Sequence, residues 1–225
     1  MNLPTIVVLS KYADIFDGFK LSVERDAYWA PKILIRDGRE ISEPKGWQMT
    51  VTPLKTPFSA AAYSNWGMRK CANDVLLCGD DIRFIEPNTV ERLQEIAYRD
   101  DKLGILSPKI VGCAQNIQMN PPDTEASFTE TQENIGLMCT YIKRSTINKV
   151  GYFDERFTGY GFDDFDYCRR TREAGLKIGV TARVSVKHSD TYGTTFRRTF
   201  SEKEIQQQAE ENQKRFDRKY EPTKV

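Results

Sequence analysis

Leu76-Leu-Cys-Gly-Asp-Asp-Ile-Arg-Phe84 runs from a buried-strand pattern straight into two carboxylates. Val75 to Cys78 has the length and apolar character of a parallel strand covered on both faces, and Gly79-Asp80-Asp81 ends it in a polar turn. In open α/β sheets ligand sites gather at such carboxyl ends. Upstream, Thr5-Ile-Val-Val-Leu-Ser10 is a second β-branched run, and residues from about Asp14 to Glu24 read as a helix. Ile33-Leu-Ile35 stops at Arg36-Asp37-Gly38, again a polar turn at a strand's end. Met49 to Thr52 reads as a third strand and Ala60 to Lys70 as a helix containing Gly67. Alternating strands and helices of this kind specify an α/β fold with the site at the carboxyl edge of the sheet.

Downstream, Asn88 and Glu91 have the spacing of a capping box ahead of a helical face of Val90, Leu93, Ile96 and Ala97. Gly104 to Ile110 returns as a strand, and Cys113 to Glu133, which contains Pro121-Pro122, reads as a long excursion at the rim. Ile135 to Ile142 resumes β-character before a short helix capped by Ser145. A helix is expected from Asp163 to its C-cap at Gly175, with Phe165 and Cys168 inward. Arg183 to His188 alternates, placing Val184, Val186 and His188 on one face, and a charged helix from about Ser201 to Tyr220 follows. There is no internal repeat and no linker.

The 225 residues carry 39% hydrophobic and 29% charged side chains, values that exclude whole-chain disorder and a coiled coil. A net charge of +1 removes the strongly basic footprint of a dedicated duplex-DNA binder. The 5 cysteines are scattered without a Cys-x-x-Cys pair, so they read as reduced, mostly buried thiols. Met1 leads directly into a β-like run, and no apolar stretch reaches the roughly 18–20 residues that span a bilayer. A cytoplasmic protein is expected.

Two stretches carry the chemistry: residues 76–84, and Gly151-Tyr-Phe-Asp-Glu-Arg-Phe-Thr-Gly-Tyr-Gly-Phe-Asp-Asp-Phe-Asp166 with Ala174-Gly-Leu-Lys177 and His188 beyond it. In this order they resemble the family 2 nucleotide-sugar glycosyltransferases of the GT-A fold, over roughly residues 5 to 190. The resemblance implies a single Rossmann-like domain, an open mixed sheet flanked by helices over residues 1–200, with 201–225 a helix packed on or extending from it. It implies transfer of a sugar, with inversion, from a nucleoside-diphosphate sugar, UDP foremost, to an acceptor hydroxyl.

The family's Asp-x-Asp metal motif ends at Asp81 here, but Gly79 replaces the first carboxylate. Expelling a nucleoside diphosphate builds negative charge that Mn²⁺ or Mg²⁺ stabilises, with Asp81 as first ligand and His188, the only histidine, as second. A solvated turn at Asp80-Asp81 and a histidine satisfied by a backbone carbonyl are the plain alternatives. Asp164 matches the family's catalytic base, second of the acidic pair Asp163-Asp164; Asp166 reads as a helix-dipole acid only. Ser10, Asp37, Asn65, Arg69, Asp80 and Arg197 match donor-side positions, although an exposed helical face explains Asn65 and Arg69 nearly as well. The loop Ser189 to Thr199, with Tyr192, Gly193, Arg197 and Arg198, resembles a donor-closing lid, or else a solvated loop.

The expected acceptor is a glycan or glycolipid precursor, with a protein or a modified DNA base left open, as is a homodimer. Lys214, Arg215, Arg218 and Lys219 read as a solvated helical face with Glu210 and Glu211. Gly-Asp-Asp also occurs in the palm of viral RNA polymerases, for which this chain is too short. A nucleotidylyltransferase acting on sugar phosphates is one alternative, with a similar sheet and acidic metal site, although Ser10-Lys-Tyr-Ala-Asp has no phosphate-cradling glycine. A non-catalytic sugar-nucleotide-binding domain is the remaining alternative, encouraged by Gly79.

Overall fold

Thr5–Ser10 forms β1, flanked in parallel by β2 (Lys32–Asp37) on one side and β4 (Val75–Gly79) on the other. A computed structural model describes residues 3–37, 41–52, 58–112, 116–188 and 195–221. The other strands are β3 (Gln48–Thr52), β5 (Ile82–Phe84), β6 (Leu103–Val111), β7 (Thr129–Glu130), β8 (Cys139–Ile142) and β9 (Lys177–His188). They join in one mixed sheet of order β3-β2-β1-β4-β8-β6-β9-β5, with β7 on β9. Seven helices accompany it among the described residues: α1 (Ala13–Asp26), α2 (Ala60–Lys70), α3 (Thr89–Ala97), α4 (Arg144–Val150), α5 (Asp163–Glu173), α6 (Thr195–Thr199) and α7 (Glu202–Tyr220).

The period-two alternation of a strand sends Ile6 and Val8 to one face and Val7 to the other. On the first face they pack with Leu34, Leu76, Cys78, Phe16 and Phe19 of α1 and Val90 and Leu93 of α3. On the second, Ile33, Ile35, Val75 and Leu77 meet Ala61, Tyr63 and Met68 of α2, Ile147 of α4 and Tyr167 and Cys168 of α5. Each large apolar side chain so buried contributes about 1.5–3 kcal/mol, and the two layers hold the sheet rigid beneath its carboxyl edge. β6 and β9 pair in parallel, with a register break between Pro108 and Lys109, where proline has no N–H to give the ladder.

Several expectations change. Asn88 is in the left-handed region (φ 56°) and makes no side-chain cap, while Glu91 accepts a hydrogen bond from Trp29 Nε1. A true capping box opens α7, with Ser201 and Glu204 bonded reciprocally. The short helix starts at Arg144 with Lys143, not Ser145, at its N-cap. α5 ends at Glu173, ahead of Gly175, and Phe165 faces outward at 36% exposure while Cys168 is buried. The last strand begins at Lys177, well before Arg183. Cys71, Cys78, Cys139 and Cys168 are free and buried, and Cys113 lies outside the described residues. No described helix is long and apolar enough to cross a membrane.

Candidate active site

β1 lies where the strand order turns back, with β2 and β3 on one side and β4 on the other, so the carboxyl ends of β1 and β4 lie side by side, where ligand sites of open α/β sheets gather. Asp80, 3% exposed, is buried in the turn after β4 rather than solvated. Its Oδ2 accepts hydrogen bonds from Ser10 Oγ at 2.5 Å and Thr195 Oγ1 at 2.8 Å. Burial, and after it the charge of Asp81, pushes the Asp80 carboxyl up to about 7. One buried acid thus ties β1, β4 and α6 together.

Asp81 turns to a different partner. The antiparallel register of β5 on β9 pairs Ile82 with His188, which brings His188 Nε2 to 3.3 Å from Asp81 Oδ2. The imidazole therefore meets a carboxylate, as a shared ligand set requires. A Cβ at Gly79, the position where the acidic motif has its first carboxylate, would stand 2.7 Å from Asp81 Oδ1, so a side chain there would require that carboxylate to shift. An oxygen donor and a nitrogen donor, side by side and nearly buried, form a pair that suits Mn²⁺ better than Mg²⁺.

Asp37, buried at the end of β2, accepts from Thr52 Oγ1 at 3.1 Å and faces Lys11 Nζ at 3.7 Å. Arg197 is exposed on α6. Arg198 is engaged rather than solvated: its Nη1 stands 2.7 Å from Asp14 Oδ2 and its guanidinium lies over the Tyr12 ring at 4.2 Å. Tyr192 and Gly193 lie outside the described residues.

The second acidic centre opens α5. Phe162 precedes it with φ 71°, a left-handed backbone that costs an aromatic residue about 1–2 kcal/mol. Its ring packs on Phe165 at 5.2 Å and on Phe216 of α7 at 5.7 Å. Asp163 and Asp164 follow, both half-buried. Asp164 Oδ1 accepts from the Phe165 backbone N–H at 2.8 Å. Burial raises both carboxyls above the ordinary range, and the Asp163 charge raises Asp164 further. Asp166 does more than complement the helix dipole: fully buried, it accepts from Arg170 Nε at 2.8 Å, Lys219 Nζ at 2.5 Å and the Tyr220 hydroxyl at 2.7 Å.

Residues 136–138 connect the two centres. A Cβ at Gly136 would lie 3.9 Å from Asp164 Oδ2 and 2.8 Å from Met138 Cε. The Met138 carbonyl accepts the Gly79 N–H at 2.7 Å, and Gly79 borders the Asp81 carboxylate. Asp164 therefore stands at one end of this short segment and the Asp81–His188 pair at the other.

Buried amides hold the surrounding backbone. Gln118, 0% exposed, receives the Gly136 N–H on Oε1 at 2.8 Å and gives Nε2 to the Gly136 carbonyl at 2.9 Å. Asn65, also 0% exposed, grips Phe153 the same way, at 2.8 Å and 2.9 Å, and donates to Glu155 at 2.8 Å. Arg69 pairs with Glu155 at 3.1 Å and stacks over Tyr152 at 4.8 Å, so Asn65 and Arg69 both brace the 152–155 segment.

This sheet and its helices recur in solved proteins. The chain superposes on GalNAc-T7, crystallised with UDP, GalNAc and Mn²⁺, with a TM-score of 0.61 and 12% identity, covering 84% of this chain and 44% of that one. The fold is GT-A. TarS of S. aureus shares the GT-A fold at a TM-score of 0.60 and 11% identity, over 84% of this chain and 37% of that one. In sequence the chain is 23% identical over 159 residues to the O-antigen biosynthesis protein RfbC of Myxococcus xanthus, a span of 60% of this chain and 12% of that protein. The chain spans less than half the length of each of these proteins. No protein-family model matches it.

Within the GT-A frame the structure draws Ser10 and Asp80 into one hydrogen-bonded knot, joins Asp81 to His188, and sets Asp163 and Asp164 beyond Gly136. Thr195, Gln118, Met138 and Asn212 were not singled out by the sequence. A hydroxyl or an amide becomes informative only once its distant partner is known, and no local spacing announces these.

Proposed function

We propose that the chain is an inverting glycosyltransferase that moves a sugar from a nucleoside-diphosphate sugar, UDP foremost, to an acceptor hydroxyl. The observation that carries the reading is the position of Asp164 and the Asp81–His188 pair at opposite ends of residues 136–138. An in-line displacement at an anomeric carbon needs a proton acceptor on one side and charge stabilisation for the departing diphosphate on the other. GalNAc-T7, with the same fold, was crystallised with UDP and Mn²⁺, which supports that class of donor and ion.

Asp164 takes the proton of the acceptor hydroxyl as the oxygen bonds to the anomeric carbon. The bond from that carbon to the diphosphate oxygen breaks, and its electron pair leaves with the nucleoside diphosphate. The Phe165 N–H fixes Asp164 Oδ1, leaving Oδ2 directed at Gly136 as the basic oxygen. Gly136 adds no side chain beside that oxygen. Asp37 and Lys11, at the end of β2, suit a ribose or base edge and a phosphate respectively.

The donor set fits a divalent cation in part. Asp81 and His188 would hold it, and among the described residues no cluster of three or more His, Cys, Asp and Glu side chains gathers to hold one by itself. The ion would neutralise charge on the diphosphate. Donor oxygens and water would complete its shell, so ion and donor should bind together.

Thermal-shift titration of UDP-sugars with and without Mn²⁺ tests the reading, followed by assay of transfer and of donor hydrolysis. A UDP-sugar that stabilises the fold only with the ion, and is then consumed, is the expected result. Release of pyrophosphate from a nucleoside triphosphate would replace it with a nucleotidylyltransferase, and donor binding without turnover would leave a binding domain.

A further inference from the structure

We propose that α7 positions the base, with Asn212 as the residue that holds the 158–161 loop in the shape that delivers Asp164. The inference rests on the assignment of Asp164 above. Asn212 is the one buried residue of α7, at 1% exposure. Its Nδ2 reaches the carbonyls of Thr158 at 2.8 Å and of Tyr160 and Gly161 at 3.0 Å each. Its Oδ1 accepts from Arg215 Nη1 at 2.6 Å, so the amide cannot turn over without losing that bond. These carbonyls belong to the residues immediately before Phe162 and the acidic pair.

The loop is held from its other side as well. Gly159, with φ 70°, makes an isolated parallel bridge to Ser59, the N-cap of α2. A Cβ at 159 would lie 2.3 Å from Gln208 Oε1 of α7, which shows how closely that helix packs on the loop. Phe162 keeps its left-handed backbone against Phe216, again from α7. The Lys219 and Tyr220 contacts to Asp166 then fix the far end of the helix to α5. Each of these contacts falls on residues 158–166. The helix is thus a brace for the segment from which Asp164 projects.

A positioning residue should change turnover and not donor affinity. Asn212→Ala should lower kcat for transfer about tenfold to a hundredfold while the dissociation constant for the donor with Mn²⁺ stays within about twofold. Its rising pH limb should also move, because the surroundings that raise Asp164 loosen. Glu210→Ala, on the exposed side of the same helix, should match wild type. If Asn212→Ala fails to fold, Asn212→Asp keeps the shape and the Arg215 contact but turns an acceptor on the carbonyls, and the same loss of kcat is expected per folded molecule.

Wild-type kcat and an unmoved pH limb in Asn212→Ala or Asn212→Asp, beside an inactive Asp164→Asn, would overturn the positioning role and leave the base in place. An active Asp164→Asn would overturn the base whatever Asn212 does. Loss of donor affinity in step with kcat would show a general structural role and also overturn the proposal.

Discussion

His188 Nε2 stands 3.3 Å from Asp81 Oδ2, brought there by three paired residues of β5 and β9. A Cβ at Gly79 would meet Asp81 Oδ1 at 2.7 Å and require the carboxylate to shift. Gly79→Ala should therefore disturb the donor pair without touching Asp164. The Mn²⁺ concentration giving half-maximal transfer should rise about tenfold or more, as when other neighbours of a metal ligand are changed. An unchanged half-saturation would mean that Asp81 does not hold the ion.

The pH dependence follows from Asp163. A base works when ionised, and burial and the Asp163 charge both raise Asp164, so transfer should climb as pH passes upward through neutrality. Asp163→Asn removes the second of these causes. The pKa of Asp164 then falls and the rising limb of kcat against pH moves to lower pH. A limb that stayed put, or moved upward, would mean that another group takes the proton.

Asn65 gives a test of structure against binding. Asn65→Ala leaves the buried Phe153 N–H and carbonyl without their partners. Urea unfolding should show a loss of about 1–3 kcal/mol, with donor affinity per folded molecule unchanged. Weakened donor binding at full stability would place Asn65 in the donor site.

Much of this was legible beforehand. The runs at 5–10, 33–35 and 75–78 are short, apolar and β-branched, and a strand buried on both faces has no other composition. The acids at their ends declare the carboxyl edge. β5 carries no sequence signal because three residues show no periodicity, and it belongs to the sheet only through the far end of β9. Asn88 has the composition of a cap, but its left-handed backbone removes its side chain from that duty. Phe165 sits among inward-facing neighbours yet turns out beside Phe162, a ring pair that no helical period encodes. Asn65, Gln118 and Asn212 hold backbone far away in sequence, so their identity alone could not reveal their partners.

Lys219 should matter in an acid-dependent way. Hydrogen bonds from Arg156, and then from Lys219, hold the Asp154 carboxyl well below the ordinary range. A carboxylate depressed in the folded state adds stability above its unfolded pKa of about 3.9, and this is lost as pH falls toward the folded value. Lys219→Met removes one of these bonds and another to Asp166. At pH 7 it should cost about 1.5–3 kcal/mol by denaturant unfolding, and the gap from wild type should narrow below about pH 4. A gap independent of pH would place the effect in packing alone.

The proposed role of Asp164 is proton acceptor on the side opposite the departing diphosphate. The most direct measurement is transfer by Asp164→Asn, made alongside donor binding by the same protein in Mn²⁺. Turnover should fall by about 10²–10⁴ while the donor binds within about twofold of wild type. Turnover near that of the unaltered protein would contradict the account.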